Sequence, residues 1–193
     1  EPVNRDQRLP LSFAQQRSWF LEQISKNRST YNIPIVIKIN GDLKIDILRD
    51  SLNQIVKRHE SLRTRFQTID DLPKQIVLEQ DECPLELVDL KYLTDKAEEH
   101  ANQIILDDSQ TPFDLENKRP FRCKLFALGT SQYLFLFNIH HIVFDGWSMS
   151  VFVDEFVKIY KSLVTGNKPN LTPIAIQYID YTKWQRETLN NDL

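Results

Sequence analysis

The clearest candidate for chemistry in this chain is a short stretch with two adjacent histidines, His140 and His141, followed by Asp145 and Gly146. Imidazole suits general acid–base catalysis because its unperturbed pKa of about 6.5 lies close to neutral pH. The aspartate is placed to anchor a turn, and the glycine permits a tight one. Titratable groups at the end of a rigid element are frequent functional sites, so this stretch is the starting point.

Three interpretations of these residues compete. Two packed histidines and a simple turn would give no chemistry at all, and for the bare string this interpretation comes first. A metal site is disfavoured because adjacent strand residues point to opposite faces, so His140 and His141 cannot easily chelate one ion. Only His59 and His100 remain to complete a ligand set, and we expect no metal. In the third interpretation one imidazole faces a cavity as a general base, but spacing does not tell which.

The elements around the stretch are a predicted strand and a predicted helix. Residues 133–137 are almost continuously apolar, which is typical of a strand buried on both faces. The following apolar residues recur at helical spacing as far as Gly166, a good residue to end a helix. The candidate residues therefore lie where a core strand turns into an amphipathic helix.

The rest of the chain alternates irregularly between helical and strand patterns. Ser12 and Gln15 form a capping-box pattern that predicts a helix to about Ser25. Pro34 favours an edge position for the alternating strand of residues 31–39. Further helices are predicted over 45–59, 95–108 and from Tyr178, and further strands over 62–66, 75–78, 85–88 and 121–125. The sequence predicts an α+β fold in which helices pack against a mixed, mostly antiparallel sheet.

Composition limits the classes of function. The 193 residues suit one domain or one lobe of a larger domain. The net charge of −3 is spread without a basic stripe, which argues against nucleic acid. No apolar run reaches the ~18 residues of a membrane span. Cys83 and Cys123 lack metal-binding spacing and predict reduced packing cysteines in a cytoplasmic protein, with a disulfide as the alternative.

Four motifs in order resemble the condensation domains of nonribosomal peptide synthetases. They are SFAQQRSWFL at 12–21, RHESLRTRF at 58–66, HHIVFDG at 140–146 and YIDYTKW at 178–184. One departure is Ser18, where the family usually carries Leu or Met. The resemblance implies a lobe similar to chloramphenicol acetyltransferase. We expect residues 1–10 to be the remnant of a linker and 11–193 to be the N-terminal lobe of a two-lobed domain, without its C-terminal lobe.

The resemblance also implies a reaction and its partners. The family forms a peptide bond between two thioesters carried on the 4′-phosphopantetheine of carrier proteins, with no bound cofactor of its own. Expected partners are the donor and acceptor peptidyl carrier domains, the C-terminal lobe and an adjacent adenylation domain. Because the reaction channel of the family lies between the lobes, we expect this lobe by itself to be inactive.

Site roles follow from the same motif by position. The second histidine, His141, is expected to be catalytic and His140 mostly structural. Asp145 is expected to hold the loop by pairing with Arg63, or failing that with Arg58.

The start of the following helix supplies the remaining candidates. The backbone amides near Gly146 and Trp147 could stabilise an oxyanion, and Ser148 is expected to cap the helix. Trp19, Tyr178 and Trp184 are expected to be core or lobe-interface aromatics.

The subtype is narrowed but alternatives remain. A heterocyclising relative would carry Asp in place of His140. The sequences of residues 31–34 and 144–148 resemble those of condensation domains whose donor ends in an L-residue. An epimerisation domain is the alternative within the family, and a module that only docks a carrier protein is the alternative outside enzymes.

Overall fold

The computed structural model describes residues 2–5, 9–25, 28–79 and 82–190. Among these residues, five α-helices form at the predicted places: α1 Phe13–Ile24, α2 Ile45–Arg58, α3 Ala97–Gln110, α4 Gly146–Val164 and α5 Tyr178–Asn190. Seven strands accompany them: β1 Leu9–Pro10, β2 Asn32–Asn40, β3 Thr64–Ile69, β4 Leu72–Val77, β5 Leu85–Asp89, β6 Phe121–Ala127 and β7 Gln132–His140. The predicted α+β class is confirmed.

The helix ends follow local chemistry. Ser12 Oγ accepts the Gln15 amide at 3.1 Å while Gln15 Oε1 accepts the Ser12 amide at 3.0 Å, so the predicted capping box is present. Gly166 follows the end of α4 with φ 71°, a left-handed conformation that glycine adopts without steric cost. The helix that carries the site thus ends where the sequence predicts.

The main sheet has four strands in the order β2-β7-β6-β5. β7 pairs antiparallel with β2 and β6, whereas β5 pairs parallel with β6. The connection between those two parallel strands contains α3, as a crossover requires. β2, the strand with Pro34, lies at the edge as predicted, and β7 lies inside the sheet. The expected mixed, mostly antiparallel sheet is confirmed.

A second, three-stranded antiparallel sheet with the order β1-β4-β3 was not anticipated. Asp70 and Asp71 form its hairpin turn with φ 52° and 60°, and Leu72 is the first residue of β4. Residues 1–10 were expected to be linker, yet Leu9 is only 6% exposed and pairs with Gln75 of β4. Part of this segment is therefore packed against the lobe.

The core lies on both faces of β7, which explains its continuous apolar sequence. On one face Phe137 stacks on Phe152 of α4 with ring centroids 4.7 Å apart. On the other face Leu134 and Leu136 pack with residues of α3. Cys83 and Cys123 are free, buried cysteines with Sγ atoms 3.3 Å apart. β7 is thus a rigid support for the residues at its end.

Candidate active site

The loop between β7 and α4 is held from both sides. The backbone amide of His140 donates to Pro120 O at 2.8 Å, and that of His141 donates to Tyr31 O at 2.9 Å. The start of the loop is therefore fixed by backbone hydrogen bonds to two neighbouring segments.

Burial alternates along this loop. Ile142 and Phe144 are each 5% exposed and pack into two different core clusters. His141 and Asp145 are exposed. Two apolar anchors therefore fix the loop and leave its two ionisable side chains facing solvent.

His140 is the histidine that packs inward. Its side chain is 0% exposed, and its Nδ1 accepts the Ile142 amide at 3.1 Å. The rings of Tyr31 and Phe113 lie 6.1 and 5.9 Å from it. Burial lowers the pKa of His140 to about 4, with smaller contributions from the charges of His141 and Arg28. The ring is therefore neutral at pH 7 and sealed from any substrate.

His141 lines an open cavity of about 420 Å³. The other walls are the start of α1, the residues after α2 and the segment before α5, including Gln15, His59 and Tyr178. A smaller apolar cavity of about 130 Å³ adjoins it and shares His59 and Phe144. The sequence left open which histidine faces a cavity, and the geometry assigns that position to His141.

Asp145, not Ser148, caps α4. Its Oδ1 accepts the Ser148 amide at 2.8 Å and the Ser148 hydroxyl at 2.7 Å. These two donors hold the pKa of Asp145 below its usual range, and the charge of His141 lowers it further. The expectation that Ser148 is the cap was wrong: the serine donates to the aspartate that precedes it by three residues.

The predicted pairing of Asp145 with an arginine was also wrong. Arg63 donates to Leu78 O and lies 3.6 Å from Glu60. Arg58 pairs instead with Glu155 of α4, its Nε 3.0 Å from the carboxylate. The carboxylate of Asp145 instead accepts hydrogen bonds from the start of its own helix, and both arginines have other partners.

The start of α4 differs from expectation in two further ways. The Trp147 amide, which was expected to stabilise an oxyanion, is directed towards the Asp145 carboxylate, as the Ser148 amide is, so neither amide is free for that role; the Trp147 indole is 81% exposed. Gly146 has φ outside the left-handed region, and an added Cβ would meet nothing within 4 Å. The backbone geometry therefore does not require glycine at this position.

His59 is a cavity residue that sequence reasoning considered only as a metal ligand. Its Nε2 lies 2.7 Å from Glu155 Oε2, so the same carboxylate contacts His59 and Arg58. This arrangement joins the end of α2 to α4. The sequence could have drawn attention to His59, because it lies in the motif Arg58-His59-Glu60 at the end of a predicted helix.

The expected interface aromatics divide between core and surface. Trp19 is 6% exposed, whereas Tyr178 and Trp184 of α5 are 41% and 59% exposed. Tyr178 is nevertheless anchored, because its hydroxyl lies 2.9 Å from Ser12 Oγ. The α1 cap and the start of α5 therefore meet at the edge of the cavity.

Neither a metal centre nor a membrane span is evident in the part of the chain that the structure describes. Within it, no group of three or more His, Cys, Asp or Glu side chains is placed to hold a metal ion. Among the same residues, no helix combines the length and apolar character needed to cross a membrane.

Comparison with known proteins identifies relatives over the whole chain. A family model described as "Condensation domain" matches residues 5–193. One of the linear gramicidin synthase subunits of Brevibacillus parabrevis is 44% identical over 193 residues, which are 100% of this chain and 2% of that protein. The dimodular nonribosomal peptide synthase of Bacillus subtilis (strain 168) is 37% identical over 190 residues, or 98% of this chain and 8% of that protein.

Solved structures share the fold. The X-domain from teicoplanin biosynthesis superposes with a TM-score of 0.86 at 28% identity, covering 100% of this chain and 41% of that chain. The starter condensation domain of rhizomide synthetase RzmA gives a TM-score of 0.85 over 95% of this chain and 44% of that chain; at 21% identity it supports the fold alone. This chain spans less than half of either solved chain. By family match, sequence identity and fold, the chain belongs to the condensation domain family of nonribosomal peptide synthetases.

Proposed function

We propose that this chain is the lobe that supplies His141 to a condensation domain which forms a peptide bond between two carrier-bound thioesters. The observation that carries the proposal is the contrast between the two histidines. His141 is exposed in an open cavity, on a loop that two buried residues anchor, whereas His140 is sealed. That contrast agrees with the family's division into a catalytic and a structural histidine.

The proposed reaction is aminolysis of a thioester. The α-amine of the downstream aminoacyl thioester attacks the carbonyl carbon of the upstream thioester and forms a tetrahedral intermediate. The nitrogen then loses one proton, the C–S bond breaks, and that proton passes to the sulfur, so that the phosphopantetheine thiol leaves. A free α-amine has a pKa near ~7.7–8.0, so an appreciable fraction is already neutral before attack.

Under this proposal, His141 orients the amine and accepts its proton as the tetrahedral intermediate forms. Asp145 acts through structure: it caps α4 and so holds the loop that bears the imidazole. Ser148 supports that cap rather than an oxyanion. The chain's own residues therefore supply proton transfer and positioning, and the carrier proteins supply both substrates.

The proposed partners are the donor and acceptor carrier domains, an adjacent adenylation domain and the second lobe of the same domain, in a cytoplasmic synthetase. The aligned relatives extend far beyond this chain, which supports partners on the same polypeptide. The sequences of residues 31–34 and 144–148 support a donor that ends in an L-residue. Because the solved relatives are more than twice as long as the region matched, we expect the 193 residues alone to form no amide.

The test is to incubate the full-length protein with a loaded donor carrier and a loaded acceptor carrier, and to follow the products by mass spectrometry. Condensation predicts a carrier-bound dipeptide that requires both substrates. An epimerisation domain would instead exchange the α-hydrogen of a single carrier-bound substrate in deuterium oxide, without forming an amide. A docking module would bind the carriers and change neither. Either of the last two results would overturn the proposal.

A further inference from the structure

The carboxylate of Glu22 lies in an unusual environment for an ionisable side chain. Glu22 is on α1 and 0% exposed, and neither of its oxygens makes a hydrogen bond to the described residues. Its neighbours are Arg28 Nε at 3.4 Å and His140 Nε2 at 3.5 Å. Since burying a carboxylate without hydrogen bonds is costly, a residue of this kind calls for a reason beyond packing.

The second observation concerns the proton on His140. Its Nδ1 accepts the Ile142 amide at 3.1 Å, so Nδ1 cannot also carry a proton. The buried neutral ring must therefore carry its proton on Nε2. That nitrogen is the one that faces Glu22 Oε2.

These contacts connect α1 to the site loop through one imidazole. We propose that Glu22 is a positioning residue for His141: it favours the Nε2–H form of His140, so that Nδ1 accepts the Ile142 amide and fixes the turn that carries His141. The kinetic part of this inference rests on the proposed function, whereas the tautomer part does not.

The charged surroundings are consistent with this role. Burial raises the pKa of Glu22, and Arg28 opposes that effect. Arg28 is half exposed, with 50% of its side chain accessible, so the contact with its guanidinium is screened by water. His141, the other titratable neighbour of the ring, lies on the solvent side. Glu22 Oε2 is the oxygen of these groups that lies closest to Nε2, at 3.5 Å, and neither atom makes a hydrogen bond to the described residues.

Removing the Glu22 carboxylate has a defined consequence for the proton on His140. If the proton moves to Nδ1, two N–H groups face each other at Ile142, and the turn must shift. Displacing a catalytic group by about 1 Å can cost on the order of 10² in rate. A positioning role therefore lowers kcat without a matching change in KM, because no substrate contact is removed.

The experiment compares Glu22→Leu with Glu22→Gln. Leucine keeps the size without an acceptor, whereas glutamine keeps an acceptor oxygen and removes the charge. Gln23→Leu is the matched control, because Gln23 is the next residue of α1 and is exposed. The 193-residue chain contains four histidines, so the ¹⁵N signals of its labelled rings can be assigned individually, whereas kcat is measured in the full-length protein.

For Glu22→Leu we expect the His140 signals to move from the Nε2–H towards the Nδ1–H pattern and the Ile142 amide to exchange faster. We also expect kcat of the folded protein to fall about 10- to 100-fold, with KM within about twofold. Glu22→Gln and Gln23→Leu should stay within about threefold of wild type in kcat. An unchanged tautomer in Glu22→Leu overturns the inference, as does an unchanged kcat in its folded fraction.

The two proposals can fail separately. If the full-length wild type with both carriers loaded forms no amide, the proposed function fails, while the ring signals and the Ile142 exchange rate still test the role of Glu22. If the wild type is active and Glu22→Leu is destabilised without any change in tautomer, Glu22 is a packing residue only.

Discussion

Replacing Asp145 with alanine separates structure from chemistry at the site. The change removes the Oδ1 acceptor of two hydrogen bonds, from the Ser148 amide at 2.8 Å and the Ser148 hydroxyl at 2.7 Å. Loss of an N-cap acceptor costs about 0.5–2 kcal/mol, and we expect about 1 kcal/mol of unfolding free energy. For a domain of this size that corresponds to a fall of about 2–4 °C in the melting temperature.

Activity should follow the cap rather than the charge. Asp145→Asn and Asp145→Ser both keep an oxygen that can accept the Ser148 amide, so both should retain most of the stability and of the amide-forming rate. Asp145→Ala should lose rate as well as stability, because the loop that bears His141 is no longer fixed at its second end.

The assay is urea unfolding followed by circular dichroism, paired with the condensation rate of each variant. Lys44→Ala is the matched control, because Lys44 precedes α2 as its N-cap but makes no side-chain cap bond. It should unfold as the wild type does. An Asp145→Asn protein with wild-type melting and no activity would refute the reasoning and assign direct chemistry to the carboxylate.

Three further predictions concern the groups that hold the lobe together. Burial raises the pKa of Asp180, but hydrogen bonds from Arg5 and two backbone amides lower it to about 2, so stability should fall by about 2 kcal/mol between pH 4 and 2. An equally steep fall in Asp180→Asn would contradict this. The pKa of His140 is lowered to about 4, so the unfolded chain takes up its proton first as the pH falls below 6.5, and stability should decrease by about 3 kcal/mol down to pH 4. His140→Gln should show a shallower dependence over that range, and an unchanged slope would argue against it. Glu155→Gln should cost about 1–3 kcal/mol, because Glu155 is 12% exposed and contacts both Arg58 and His59; urea unfolding at wild-type free energy would refute that network.

Local patterns were sufficient for most of the fold. The capping residues Ser12 and Gln15 and the left-handed Gly166 predict helix ends because each acts within a few residues of the chain. The apolar run of β7 predicted burial on both faces, and the structure shows the cause: α3 covers one face and α4 the other. Pro34 predicted an edge strand, because it cannot donate a hydrogen bond inside a sheet.

Tertiary contacts explain what the patterns missed. The strand Leu9–Pro10 is too short to have a period, and it forms only because β4 offers it a partner. The family motif identified the two histidines, but spacing alone could not orient them. Their orientation depends on the register of β7 against β2, in which His140 lies opposite Asn32.

The errors at Asp145 have a single cause. Asp145 precedes Ser148 by three residues and accepts hydrogen bonds from it at the start of α4. The sequence analysis instead paired Asp145 with arginines that are more distant along the chain. Arg58 and Arg63 instead satisfy groups near their own positions in the fold. The buried contact of Glu22 with His140 could not have been predicted either, because it joins residues 118 positions apart that no pattern links.

The most direct test of the account is the single-turnover rate of amide formation for His141→Ala in the full-length protein with both carriers loaded. Because the side chain is exposed, the melting temperature should stay close to that of the wild type. We predict that the rate falls on the order of 10²–10⁴-fold. A fall of less than tenfold in the folded variant would contradict the claim that this imidazole performs the proton transfer.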